Sequence, residues 1–319
     1  MALPVYASPL ERTWHYSYLT ICALIFLFLM APILIVIPLS FNAQPYFTFT
    51  TEMLHFDPNG YSLRWYDQLI TFGMQHPEAP RDWSFWMDFW ENATWMQVAK
   101  NSVIIGISAT VLATVLGTIA ALGLTRPEMP YRKQITAVLI SPMIVPIIIS
   151  ATGMFFFYSW VRLPMLSFDG GVHIEFARLA GSYAGIILAH AALGIPFVII
   201  TVTATLSGFD QSLVRAAASL GANPRTAFFR VVMPLIMPGV VSGALFAFVT
   251  SFDEVVAVLF IAGHDQQTIP RQMWNGIREQ ISPAILAVAT ILVAVSILLL
   301  ATVELLRRRS ERLRGVTPS

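Results

Sequence analysis

Charged residues are scarce in this sequence. Asp, Glu, Lys and Arg together make up 12% of its 319 residues, whereas a soluble domain typically carries about 25%. Hydrophobic residues make up 56%, with 22 Phe and 8 Trp among them. This balance predicts an integral membrane protein. The net charge of only +1 gives no support for nucleic acid binding.

Cysteine and the short motifs of catalysis are absent or nearly so. The single cysteine, Cys22, excludes an internal disulfide framework and a multi-cysteine metal site. No GxxxxGKS or GxxxxGKT motif occurs, so the chain itself is not expected to hydrolyse ATP. The HExxH and GxSxG motifs of hydrolases are missing as well. We therefore expect a protein that is not an enzyme and that binds no metal or cofactor.

Six apolar segments are long enough to cross a membrane as helices. A span needs about 20 apolar residues. The six segments run near Tyr18–Leu39, Ser102–Leu124, Ile135–Trp160, Tyr183–Leu206, Pro238–Ile261 and Pro283–Leu306. The first is interpreted as a retained span, because its apolar run is too long for a signal peptide. The fold class is therefore predicted to be an all-α polytopic membrane protein with six transmembrane helices.

The distribution of Lys and Arg gives the orientation of these spans. With the N-terminus in the cytoplasm, 12 of the 19 basic residues lie in cytoplasmic segments and 7 lie in the longer loops of the other side. Cytoplasmic loops carry an excess of basic residues, so both termini are predicted to be cytoplasmic. Residues 40–97 then form a long outer segment. Its aromatic stretch WSFWMDFWENATW (83–95) predicts a helix at the membrane interface, or alternatively a docking surface for an external partner.

A basic, alanine-rich segment at 210–234 separates the fourth and fifth predicted spans. Asp210 is suited to cap a helix that starts at Gln211. Gly221 is suited to the left-handed conformation that ends a helix. Asn223 followed by Pro224 is typical of a new helix start. The sequence therefore predicts two short helices with a sharp bend between them, which we call the elbow.

The second elbow helix is predicted to run from Arg225 to Met233, at the entrance of the fifth span. Apolar side chains on the elbow would be exposed, namely Leu220, Phe228 and Phe229. An amphipathic linker resting on the bilayer is one interpretation. A rigid bend and a face of small alanines favour the other, in which another protein surface approaches closely.

The elbow resembles the EAA loop in the membrane subunits of type I ABC importers. That loop reads Glu-Ala-Ala, three residues, Gly, nine residues and Ile-x-Leu-Pro. The corresponding residues of this chain have the same spacing: Arg215-Ala216-Ala217, Gly221 and Val231-Val232-Met233-Pro234. Val231 and Met233 are mild departures, whereas Arg215 reverses the charge of the glutamate.

The resemblance implies a MetI-like permease fold in a bacterial inner membrane, with the elbow as a coupling helix. A separate cytoplasmic ATPase dimer would use ATP and Mg²⁺, a second homologous permease would lie alongside, and a periplasmic binding protein would deliver cargo. The chain would divide into 1–97, a transmembrane domain at 98–307 and a basic cytoplasmic tail at 308–319. The implied coupling residues are Arg215, Ala216, Ala217, Leu220, Gly221, Pro224, Arg225, Phe228, Phe229 and Pro234.

The stretches TSFDEVVAVLFIAG (250–263) and TIPRQMWNGIREQISPAILAVATILV (268–293) are similar to the second permease of spermidine/putrescine-type importers. This likeness implies a polyamine or a related small amine as cargo. A self-contained channel or secondary transporter is the alternative. Such transporters often contain internal repeats, and we find no repeat between the two halves of this sequence.

Three ionisable residues fall inside predicted spans: His190, Asp253 and Glu254. Carboxylates at that depth are costly and are expected to face a water-filled path or a partner. We expect His190 to contact Asp253 or Glu254 across spans four and five. In one interpretation the acids attract a cationic cargo. In the other they cap helices or pair with polar groups at a subunit interface.

Overall fold

The computed structural model describes residues 8–126, 128–167, 173–210, 212–279 and 282–313, which form fourteen α-helices and one β-hairpin. A 3₁₀ turn lies at Pro58–Gly60 and a π-helical turn at Phe228–Val232. The other elements are α1 (Pro9–Leu39), α2 (Thr51–Leu54), α3 (Arg64–Thr71), α4 (Trp83–Asn92), α5 (Thr94–Leu124), α6 (Arg132–Ile144), α7 (Ile147–Trp160), β1 (Arg162–Ser167), β2 (His173–Arg178), α8 (Tyr183–Ser207), α9 (Ser212–Ser219), α10 (Pro224–Ala227), α11 (Met233–Phe252), α12 (Val256–Ile261), α13 (Ile269–Glu279) and α14 (Ala284–Leu313).

Four helical stretches in the described residues are long and apolar enough to cross a membrane: Pro9–Leu39, Thr94–Leu124, Tyr183–Ser207 and Pro224–Phe252. The bent pair α6 and α7 is a fifth candidate. The described apolar part of α14, Ala284–Leu298, is shorter than a span requires. A polytopic helical membrane protein is therefore confirmed, while the sixth span and the cytoplasmic termini stay predictions. Residues 314–319 of the predicted basic tail lie outside the described residues.

The third predicted span is two helices rather than one. α6 and α7 meet at an angle of 103° around Val145 and Pro146. Pro146 has no backbone N–H and disfavours helical geometry in the residue before it, and Val145 is accordingly extended. The apolar run Ile135–Trp160 is continuous, but a single proline divides it.

A short antiparallel hairpin follows α7 and was not predicted. β1 pairs with β2 in a register that places Arg162 opposite Arg178. The prediction of an all-α chain is wrong here, although the chain is otherwise helical where it is described. β1, with the sequence RLPMLS, contains Pro164 and does not alternate strictly between polar and apolar residues, so it lacks the pattern that predicts a strand.

One compact unit comprises Met1–Phe89 and Gly276–Ser319. In it α14 packs against α1 and α3. The segment that follows α1 in this unit is held by the fully buried Asn42, whose amide donates hydrogen bonds to the carbonyls of Tyr46 and Thr48 at 3.0 and 2.9 Å. The indole of Trp65 donates to the Asn42 carbonyl at 2.7 Å. The segment after α1 is therefore a folded element rather than a loose connection.

The second compact unit, Trp90–Asn275, is built around α5, α8 and α11. Small residues let these helices approach closely, as is typical inside membranes. Gly194 of α8 faces Ala113 of α5 and Ala247 of α11, both of which are buried. A Cβ on Gly243 of α11 would lie 2.8 Å from the Cα of Val198. The bundle therefore has little room for added methyl groups.

We expect Gly243→Ala to lower the thermal stability of the purified protein, because backbone at 2.8 Å cannot yield as a flexible side chain can. Overpacking of this kind costs about 1–3 kcal/mol. Gly153→Ala in α7 is the matched control, since its Cβ would meet nothing within 4 Å. Melting of both variants in detergent tests this, and equal melting temperatures would contradict it.

Candidate functional site

The first half of the elbow is a capped helix with a defined stop. The Asp210 carboxylate accepts hydrogen bonds from the backbone N–H and the hydroxyl of Ser212 at 2.8 and 2.7 Å. These hydrogen bonds lower the pKa of Asp210, and the bond from the Ser212 hydroxyl has the larger effect of the two. The helix begins at Ser212 in the described residues, because the predicted first residue, Gln211, lies outside them. The predicted cap at Asp210 is confirmed.

The bend of the elbow is a hydrogen-bonded turn centred on Gly221. Gly221 has φ of 84°, in the left-handed region. Its N–H donates to the Ala218 carbonyl at 2.9 Å, and the N–H of Ala222 donates to the Ala217 carbonyl at 3.0 Å. This pair of bonds is the Schellman arrangement that ends many helices. The left-handed glycine is confirmed, and it gives the bend one defined geometry.

The second half of the elbow begins as predicted but does not end as predicted. The Asn223 side chain accepts a hydrogen bond from the N–H of Thr226 at 2.8 Å, and Pro224 is the first helical residue. From there the helix continues to Phe252 as one stretch of 29 residues. The prediction of a separate short helix ending at Met233 is therefore wrong. The second half of the elbow is the exposed beginning of a membrane helix.

A π-helical turn at Phe228–Val232 lets this helix pass Pro234. The N–H of Met233 donates to the carbonyl of Phe228, five residues back. A proline inside an α-helix would clash with the carbonyl four residues earlier, and the wider π turn relieves that crowding. Pro234 is evident in the sequence, whereas the π turn that accommodates it was not predicted.

The elbow exposes apolar and basic side chains together. Leu220 is 89% exposed and Phe229 is 66% exposed, whereas Phe228 is half-buried. Arg215 and Arg225 are exposed. The predicted coupling residues are distributed as follows: Arg215, Ala216 and Ala217 in α9, Leu220 and Gly221 in the turn, Pro224 and Arg225 in α10, Phe228 and Phe229 in the π turn, and Pro234 in α11.

The buried histidine of α8 contacts α11, but not through the predicted residues. His190 is 1% exposed, and its Nδ1 lies 2.8 Å from the Ser251 hydroxyl. Its Nε2 has no hydrogen-bond partner among the described residues. The predicted contact with Asp253 or Glu254 is wrong, because α11 ends at Phe252 and the two acids follow the break. Ser251 was missed, since no local spacing connects residues on different helices.

The fifth predicted span is broken at its two acids. Glu254 is 8% exposed, and its carboxylate accepts a hydrogen bond from the N–H of Ala257 at 2.9 Å. It therefore caps the N-terminus of α12, which supports the structural interpretation for this residue. Asp253 is exposed and follows Phe252, the last residue of α11, as its C-cap. The adjacent acids thus occupy different environments.

An arginine that we had not singled out caps the other end of α12. The Arg271 guanidinium donates to the carbonyls of Val258 and Ala262 at 3.1 and 3.2 Å. A cation at a helix C-terminus and a carboxylate at its N-terminus both oppose the helix dipole. α12 is therefore fixed at both ends, and its buried residues Val258 and Ile261 pack in a core with α7 and α8.

Comparison with known proteins identifies this arrangement. Residues 113–312, more than half of the chain, match the family described as binding-protein-dependent transport system inner membrane component. The chain belongs to this family. The permease is accordingly an inner-membrane transport component, and its family is not a catalytic one. This finding favours the importer permease over a self-contained channel or secondary transporter.

Relatives of the permease match along most of their length. It is 28% identical over 286 residues to the spermidine/putrescine transport system permease protein PotC of Haemophilus influenzae, covering 90% of this chain and 94% of that protein. It is 28% identical over 321 residues to the putrescine transport system permease protein PotI of Escherichia coli K12, covering 98% of this chain and 97% of that protein. The predicted resemblance to this group is confirmed.

The fold is also found in a solved structure. A bacterial ABC transporter involved in the import of the acidic polysaccharide alginate superposes with a TM-score of 0.60 at 15% identity, covering 96% of this chain and 99% of that one. At this identity the likeness shows the fold alone.

Proposed function

We propose that this permease is one of two homologous membrane subunits of an ATP-driven importer, and that the cargo is a polyamine or a related small amine. The proposal on cargo is supported by the relatives named for spermidine and putrescine transport. A periplasmic binding protein would deliver the cargo. The permease itself would bind no cofactor and catalyse no reaction.

The proposed topology has six transmembrane helices with both termini in the cytoplasm. It is supported by the distribution of basic residues, with 12 on the cytoplasmic side and 7 on the other. α14 would supply the sixth span. The elbow then lies in the cytoplasm, where it can contact a nucleotide-binding partner.

One observation carries the coupling role of the elbow: the helix from Pro224 to Phe252 is continuous. A force applied to the exposed residues at its beginning is therefore transmitted directly to a membrane helix. α9 is joined to this helix by the turn at Gly221, whose conformation is fixed by two backbone hydrogen bonds. Closure of an ATPase dimer upon binding ATP and Mg²⁺ would move the elbow and with it α11.

The proposed transport cycle is alternating access between the two sides of the membrane. The loaded binding protein docks outside, ATP closes the ATPase dimer, and the elbows switch the permease pair to face outward. Cargo enters the cavity and leaves to the cytoplasm after ATP hydrolysis. The candidate cargo path contains His190, Asp253 and Glu254. Of these Asp253 is the exposed acid, and it is the residue best placed to attract an ammonium group.

Leu220→Asp is expected to remove the ATPase from the purified transporter. Leu220 is 89% exposed, so the substitution leaves the fold intact, but a carboxylate would be buried without a partner in any apolar groove that receives this side chain. The amount of ATPase that copurifies with tagged permease measures the effect. Leu54→Asp, at a 65% exposed leucine of the outer segment, is the matched control. Full retention of the ATPase by Leu220→Asp would refute the docking role.

A further inference from the structure

The charged residues of the elbow are mostly positive. Between residues 210 and 234 the sequence contains three arginines, Arg215, Arg225 and Arg230, and one acid, Asp210. Asp210 is occupied by hydrogen bonds from Ser212 within its own cap. All three arginines are exposed. Asp210 is close enough to Arg215 for the two charges to attract each other, but no ion pair joins them, and one acid leaves the three arginines with a net charge of about +2.

The arginines of the elbow form no ion pair within the described part of the chain. Arg81 pairs with Asp67 there, and His76 lies 4.0 Å from Asp88, a contact that is an ion pair only when the imidazole is protonated; both are far from the elbow in sequence. The guanidinium groups are thus available to an external partner. Arginine presents a planar fork of donors that matches a carboxylate in two parallel hydrogen bonds.

Arg215 and Leu220 of the elbow are close in sequence but lie on different faces of α9 and the turn that follows it. Arg215 shares a helix face with Ser219, one turn later, whose hydroxyl donates to the Arg215 carbonyl at 3.0 Å. Leu220 lies one turn beyond Ala216, to which its N–H donates at 3.1 Å. Arg215 and Leu220 are five residues apart, which is about 140° around a helix axis, so only a groove that encloses the elbow on both faces would remove water from Arg215 as well as from Leu220. A charge that is desolvated without a counter-charge is strongly unfavourable.

We propose that the groove that receives the elbow carries carboxylates, and that one of them pairs with Arg215. The partner is the nucleotide-binding subunit, so this inference rests on the proposed function and defines the chemistry of that interface. The basic residues would also speed association, since complementary charge steers encounter. Anionic lipid headgroups are the competing source of negative charge, and the experiment separates the two.

The test uses the complete transporter, with a tag on this permease, purified and placed in bilayer discs of either neutral or anionic lipid. Arg215→Glu is expected to reduce the copurified ATPase by at least about tenfold in both lipids, which corresponds to about 1.4 kcal/mol. Arg215→Lys, which keeps the charge but not the two-donor fork, should retain an intermediate amount. Arg132→Glu, the same reversal at the exposed start of α6, is the control and should behave as wild type. Reversal of an acid in the ATPase groove should restore binding to Arg215→Glu.

The outcomes distinguish this inference from the proposed function. If Arg215→Glu retains the ATPase while Leu220→Asp loses it, the elbow docks but the acidic groove is refuted. If both variants retain it, docking by the elbow fails as well. A loss that occurs only in anionic discs would overturn the proposal in favour of lipid headgroups.

Discussion

Gly221→Val is expected to lower ATP-driven uptake by at least about tenfold without changing the amount of permease in the membrane. Gly221 has φ of 84°, and the left-handed region costs an ordinary residue about 1–2 kcal/mol, with a β-branched residue more strained still. A factor of ten corresponds to about 1.4 kcal/mol. The strain is therefore sufficient to open the turn and change the direction of α9 relative to the helix that starts at Pro224.

The effect of this substitution reports backbone conformation rather than a clash. A Cβ at Gly221 would meet nothing within 4 Å. Gly208→Val is the control in the same loop, because Gly208 has φ of −92° and its nearest Cβ neighbour is the Thr205 carbonyl oxygen at 3.9 Å. Uptake of labelled polyamine by cells, divided by permease measured on immunoblots, gives the comparison. Wild-type uptake by Gly221→Val would mean that the bend has no part in coupling.

The elbow was largely predictable because its signals are local. Asp210, Gly221, Asn223 and Pro224 each act on the backbone within about one turn, through caps and a left-handed turn. The end of the second helix was not predictable in the same way. Pro234 indicated a boundary, yet the π turn at Phe228–Val232 carries the helix past it.

The polar interior of the membrane domain could not be predicted because it depends on how helices are rotated against each other. His190 contacts Ser251 rather than the acids two and three residues later. The break after Phe252 was hidden because the hydrophobic residues on either side make the span look continuous. Two adjacent acids in such a run were the available signal, since a carboxylate in lipid needs a hydrogen bond or water.

The two acids at the break of the fifth span are expected to have different roles, Asp253 in uptake and Glu254 in stability. Asp253→Asn is expected to lower uptake of a polyamine by about tenfold at low cargo concentration, because the exposed carboxylate would lose a charge-assisted hydrogen bond worth about 1.5–3 kcal/mol to an ammonium group. The amount of folded permease should be unchanged, since this side chain is not buried. Glu254→Gln is expected to lower the melting temperature of the permease instead. The buried Glu254 carboxylate caps α12 by accepting a hydrogen bond from the N–H of Ala257, and the substitution weakens this cap.

Asp253→Asn is expected to change uptake and Glu254→Gln to change stability. The experiment therefore measures both the uptake of polyamine and the thermal melting of the purified permease. Asp265→Asn is the control, because Asp265 is an exposed acid that contributes to the structure through its backbone carbonyl, which accepts from the Asn101 amide at 2.8 Å. A loss of uptake with unchanged melting in Asp253→Asn alone would assign this carboxylate to the cargo path. Wild-type uptake in both Asp253→Asn and Glu254→Gln would exclude the acids from it, and the break would then serve only to orient α12 between its two caps.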